Sequence, residues 1–252
     1  MAWYGSYSAF PEYVSVATRR ARAKQAAARL ARKQGRALAP VGPLDGNKIV
    51  RTFWGKAWCE NLESYSDYAN RLPRGRSYVR HGAVVDLQIA AGQITALVSG
   101  SSLYETTIAI LPLEARRWRD ITARCTGKID SLIDLLKGDL SQPIMEIITD
   151  RQQGLFPPPG QIRLGCTCPD FADMCKHVAA VLFAVGVRFD ESPALLFTLR
   201  GVDHLDLIDR AAARGAKRVG RRAGAKRKVI KSADLSSLFG IEIEAAPKPR
   251  RR

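Results

Sequence analysis

The sequence predicts an α+β fold, a small antiparallel sheet with helices flanked by basic tails, on three observations. Strict apolar alternation on either side of a glycine turn marks a hairpin. Apolar positions recurring at three and four residues mark helices before and after it. The charge, finally, is gathered at the two ends. Of 252 residues 46% are hydrophobic, ample for a buried core. The net charge of +16 is uneven: residues 1–36 hold eight Lys or Arg against one acid, residues 210–252 hold fourteen against three, and the remainder is −2. Attraction to nucleic acid is therefore expected of the ends rather than of a broad basic face.

Taken in order, residues 14–39 are strong helix formers with almost no apolar stripe, which suits either a frayed, solvated helix or one that folds on a polyanion. Pro40, Gly42, Pro43 and Gly46 mark a linker. Ile49, Phe53, Trp54, Ala57, Trp58, Leu62 and Tyr65 space as an amphipathic helix reaching to Leu72, a core face or a base-stacking platform. The stretch from Pro73 to Gly82, with Arg74, Arg76, Tyr78, Arg80 and His81, is either a phosphate-contacting cluster or a solvated loop entering a strand. Val85, Leu87 and Ile89 then alternate against Ile94, Ala96 and Val98 across Gly92, and a third strand is expected over 106–111, stopped by Pro112. Helical spacing returns at Ile129, Leu132, Ile133 and Leu136, and again at Ile144, Ile147 and Ile148 behind Pro143. A proline-rich turn at 156–160 delivers a short strand over 161–165.

That strand runs into CTCPDFADMCKH, in which Cys166, Cys168, Cys175 and His177 fall within twelve consecutive residues. Positions i and i+2 of an extended strand share a face, so Cys166 and Cys168 can present both sulfurs to one ion. Residues two apart on a helix do not share a face, which places Cys175 at a helix start and His177 in its first turn, with Pro169, Asp170 and Asp173 in the turn between the pairs. Three thiols and an imidazole so spaced point to a closed Cys3His zinc site. A helix N-terminus and Lys176 would offset its negative charge, and Asp170 or Asp173 could orient the free nitrogen of His177. The apolar run 178–187 suits a buried helix. Phe171 and Met174, between the ligand pairs, are candidates for contact with a protein partner, or else fold under the finger.

The pattern Cys-x-Cys-x6-Cys-x-His resembles the SWIM zinc finger. Residues 53–63, 72–89 and 188–201 also look like the bacterial SWIM zinc finger proteins, so the resemblance covers roughly 45–201. It implies a non-enzymatic protein linked with Snf-type DNA-dependent ATPases or helicases. On this reading 1–44 is a basic helix and linker, 45–160 an α+β body, 161–209 the finger with its packing helices, and 210–252 a disordered basic tail. Nucleic acid would meet Arg74, Arg76 and Arg80 on the body and Arg218, Arg221, Arg222, Lys226, Arg227 and Lys228 in the tail.

Other function classes find little support. No GxxxxGK loop is present, and only His81 and His204 lie outside the metal cluster, which argues against an ATPase or hydrolase and against a small-molecule substrate. No run of eighteen apolar residues and no signal-peptide pattern occurs, and metal-spaced cysteines suit a reducing compartment, so a cytoplasmic protein away from membranes is expected. Cys59 and Cys125 read as small buried hydrophobes. The expected function is an adaptor binding a Snf-type partner and nucleic acid, with a stand-alone DNA- or RNA-binding protein as the rival.

Overall fold

The computed structural model describes residues 14–64, 70–126 and 142–207. Its centre is a four-stranded antiparallel meander in the order β1 (Val84–Ala90), β2 (Gln93–Ser99), β3 (Leu103–Ile110) and β4 (Ile162–Cys166). Around it lie α1 (Val16–Lys33), α2 (Phe53–Glu63), α3 (Leu72–Arg80), α4 (Ala115–Thr126), α5 (Gln142–Ile148), α6 (Lys176–Glu191) and α7 (Ala194–Leu199). The α+β class and the antiparallel sheet are as the alternation predicted. The expected helix at Ile129 to Leu136 and the basic residues Arg218 to Lys228 lie outside the described residues.

The core is organised by α6, because a helix apolar on every side must be covered on every side. All but four of its sixteen residues are buried, and it packs on the sheet and on α2 and α3. Two glycines allow the approach. A Cβ on Gly75 of α3 would stand 2.6 Å from the Ala179 Cβ, and one on Gly186 of α6 would stand 3.1 Å from the Cys59 sulfur on α2. Trp58 seals the α2 crossing: its indole N–H donates to the Leu182 carbonyl at 2.8 Å, and its ring meets Phe156 and Phe189 edge-on. Asp190, near the end of α6, accepts from the backbone amides of Arg51 and Thr52 and from the Thr52 hydroxyl, tying down the entry to α2.

Three expectations are corrected here. The helical pattern from Ile49 to Leu72 resolves as α2, ending at Glu63, and the basic stretch after it is helix α3 rather than a loop, with Pro73 in its first turn. The hairpin forms, but Val85 does not share a face with Leu87. The register shifts between Val84 and Asp86, so Val85 is the extra residue of a β-bulge. Val84 and Leu87 point into the main core, whereas Val85 joins Leu97 and Ala27 on the opposite face.

That opposite face is where α1 lies, packed on the sheet rather than wholly solvated. Ala23, Ala27 and Ala31 recur every four residues and form a buried stripe against β1 and β2. Alanine is a good helix former whose small side chain lets the helix settle close to the sheet. Ser15 caps its start by accepting from the Thr18 amide, and Arg36, just past its end, pairs at 2.6 Å with buried Asp86. Asp86 also accepts from the Ala39 amide and from Gln88. Burial alone would raise this carboxyl, but the three hydrogen bonds outweigh it and hold the group below its ordinary value. Among the described residues no helix is long and apolar enough to cross a membrane.

Candidate metal centre

The four ligands come from two elements that the core holds side by side. Cys166 ends β4 opposite Thr106, and Thr167 continues the pairing through its amide to the Glu105 carbonyl, keeping the chain extended towards Cys168. Cys175 is the N-cap of α6, its sulfur accepting from the Val178 amide at 3.5 Å, and His177 sits in the first turn. This is the placement that the i, i+2 spacings predicted.

One donor atom from each of the four residues lies within 4.8 Å of every other. Nδ1 of His177 stands 3.8 Å from the sulfurs of both Cys166 and Cys175. A tetrahedral zinc with bonds of about 2.3 Å to sulfur and about 2.0 Å to nitrogen needs S···N separations near 3.6 Å, so the cage fits one such ion with His177 bound through Nδ1. The electrostatics agree. Burial, together with the charge of Lys176, lowers the His177 pKa to about 4, leaving a neutral imidazole with a lone pair to give. Burial and the neighbouring cysteines push the Cys175 thiol well upward, despite the amides that favour its thiolate. A divalent cation among three such sulfurs would supply the charge their ionisation lacks.

The surroundings hold side chains that sequence reasoning missed. The His177 ring lies 4.5 Å from the Tyr104 ring, tilted by 31°, and meets Tyr78 edge-on at 5.5 Å. The Thr106 hydroxyl donates to the Cys166 sulfur at 3.6 Å. A Cβ on Gly100 would stand 2.7 Å from Tyr104 and 3.0 Å from Nε2 of His177, so only glycine fits there. These residues are far from the finger in sequence and lie in α3, in β3 and in the turn before β3, with no local metal signal; only the register of β3 on β4 brings Thr106 to Cys166. The expected aspartate partner for His177 is absent. Nε2 is buried with no hydrogen-bond partner, while Asp170 instead pairs with Arg71 at 3.2 Å and accepts from the Ala172 amide.

The other candidate residues separate. Phe171 is fully exposed, but its companion Met174 is 3% exposed and packs into the main core, since the chain turns inward to reach Cys175. On α3, Arg76 pairs with Glu63 and lies over the Phe183 ring, and Arg80 donates to Asn47 at 2.9 Å. Arg74 is exposed and has no ion pair among the described residues.

Four converging donors at zinc-like separations, on a strand end and a helix start, define a zinc-binding module. Residues 158–186 match the family model of the SWIM zinc finger, and the segment carrying Cys166, Cys168, Cys175 and His177 is a SWIM zinc finger. The chain is similar to the uncharacterized protein Rv2102 of Mycobacterium tuberculosis, 34% identical over 168 residues, which is 66% of this chain and 60% of that protein. The aligned stretch thus spans less than two thirds of that relative's length. No solved structure matches the chain.

Proposed function

We propose that this protein is a non-enzymatic, cytoplasmic adaptor whose zinc finger displays a rigid surface to a protein partner while basic residues hold nucleic acid. The partner proposed is a Snf-type DNA-dependent ATPase, as the family resemblance implies. The observation that carries the reading is Phe171, an aromatic ring left wholly in solvent between the two ligand pairs, while Met174 and Cys175 just beyond it are buried. Arg71 braces the same turn through Asp170. An aromatic ring presented on a braced turn loses little conformational freedom when it enters a partner's pocket, which favours it as an anchor. Four protein donors would also fill the metal's coordination, which supports a structural role rather than an open catalytic one.

Capture of the host's Snf-type ATPase on the full chain tests this reading. Phe171→Ala should weaken capture about tenfold, roughly 1.4 kcal/mol, with zinc content unchanged. An ATPase that does not bind, or binds the variant equally well, rejects the proposal. The rival, a stand-alone nucleic-acid-binding protein, draws on the net charge of +16 and requires tight oligonucleotide binding without any partner.

A further inference from the structure

Between the first turns of α1, the last turn of α3 and the end of β2 lies a cavity of about 350 Å³, lined by Arg19, Arg20, Ser77, Tyr78, His81 and Gly100 among others. Its volume sits at the small end of ligand pockets, room for one group rather than for a duplex. Among the described residues no carboxylate lines it. Among the described residues neither Arg19 nor Arg20 has an ion pair, and Nε of Arg19 is buried with no hydrogen-bond partner. Two guanidinium groups so placed, one with a shielded donor unmet, call for an anion.

The remaining walls add donors of the right kind. Nδ1 of His81 lies 2.6 Å from the Ser77 carbonyl, which can only accept, so Nδ1 carries the proton, and Nε2 donates to an anion only in the doubly protonated ring. Ser77 and Tyr78, both hydroxyl-bearing, line the same cavity, and the start of α1, with Val16 at the rim, contributes the positive end of an eighteen-residue helix. Donors converging from separate walls suit the several oxygens of a phosphate better than the two of a carboxylate. The exposed side of α1 continues the positive field with Arg22, Lys24, Arg29, Arg32 and Lys33.

We propose that this cavity binds a phosphate group of a nucleic-acid backbone. The assignment rests on the nucleic-acid part of the function proposed above and gives that part a defined pocket. Phosphate contacts of this kind fix register and orientation without reading sequence. Gly100 forms a wall shared with the metal centre, since its would-be Cβ nearly touches His177, so the pocket would set the finger at a fixed distance from the bound strand.

The test is fluorescence anisotropy of short labelled oligonucleotides, single- and double-stranded, with the full zinc-loaded chain. Arg19→Ala/Arg20→Ala should weaken binding by about tenfold or more, while Arg29→Ala/Arg32→Ala, which removes the same charge from the same helix outside the pocket, should cost no more than about threefold. Arg19→Lys/Arg20→Lys keeps the charge and the helix but not the planar fork, and serves if the alanine pair misfolds. Weakening of about threefold or more in that lysine pair supports the site, and wild-type binding overturns it. Equal losses in the two alanine pairs, or none in either, overturn the site alone. A wild-type chain that binds no oligonucleotide removes both the site and the nucleic-acid part of the proposed function. Binding of inorganic phosphate or a nucleoside monophosphate in the absence of oligonucleotide binding would reassign the pocket to a free ligand and overturn the proposal.

Discussion

Replacing Asp86 by alanine should release α1 from the sheet while leaving the rest of the fold in place. The carboxylate is buried and serves three donors: Arg36 at 2.6 Å, the Ala39 amide at 2.9 Å and Gln88 at 3.0 Å. Arg36 is about a third exposed and can regain water, so the loss is mainly that of its charge-assisted hydrogen bond, about 2 kcal/mol, plus about 1 kcal/mol for the Ala39 amide left without its acceptor. All three contacts lie on the α1 side or at the β1 edge, whereas α6 and the metal centre are on the other face. The free energy of opening α1 should therefore fall by about 3 kcal/mol, and its amides should exchange about 100-fold faster. Hydrogen exchange resolved by mass spectrometry would measure this directly. Asp86→Asn, which keeps an acceptor for Ala39, should show a smaller effect. Unchanged protection in α1 alongside a global loss of stability would refute the reasoning, since Asp86 would then support the core rather than hold the helix.

The same group predicts a pH dependence. Its folded pKa lies below its unfolded value, so its stabilisation is complete above the unfolded pKa and is lost as pH falls through the lowered folded one. The difference in α1 protection between wild type and Asp86→Ala should accordingly be constant near neutrality and shrink below about pH 4; a difference that persists in stronger acid contradicts this. At the α3 and α6 crossing, a Cβ on Gly75 would meet the Ala179 backbone carbon at 2.7 Å and the Ala180 nitrogen at 2.9 Å, atoms that cannot swing aside. Gly75→Ala should cost about 1–3 kcal/mol in urea unfolding, and a loss below about 0.5 kcal/mol would show a looser crossing. Of the five cysteines, chelation should expose three to a thiol reagent. Cys59, with its thiol pushed up to about 12 by burial, and fully buried Cys125 should react only after denaturation. Five reactive thiols on chelation alone would mean that the metal holds the entire core.

The metal centre was legible because its chemistry is local: four ligands within twelve residues, with strand and helix geometry deciding how each pair must stand. The apolar run after His177 likewise announced the buried helix. What escaped depends on the partner surface. The Ala23, Ala27 and Ala31 stripe is invisible to hydrophobic periodicity, because alanine counts as a helix former wherever it stands, and only the flat sheet opposite turns it into a docking face. A single bulge after Val84 moved Val85 to the other side of the sheet. The α4 helix passed unread because its buried positions, Trp118, Ile121, Thr122 and Cys125, are diluted by arginines along the same twelve residues. Phe171 and Met174 were alike by residue type, and only the inward path of the chain to Cys175 separates them.

The most direct test of the central claim is the zinc content and X-ray absorption of protein purified without chelator. One zinc per chain is expected, with three sulfurs at about 2.3 Å and one nitrogen at about 2.0 Å, lost in Cys166→Ser/Cys175→Ser. Protein that carries no zinc, or a double variant that keeps it in full, would contradict the assignment of Cys166, Cys168, Cys175 and His177 as its ligands.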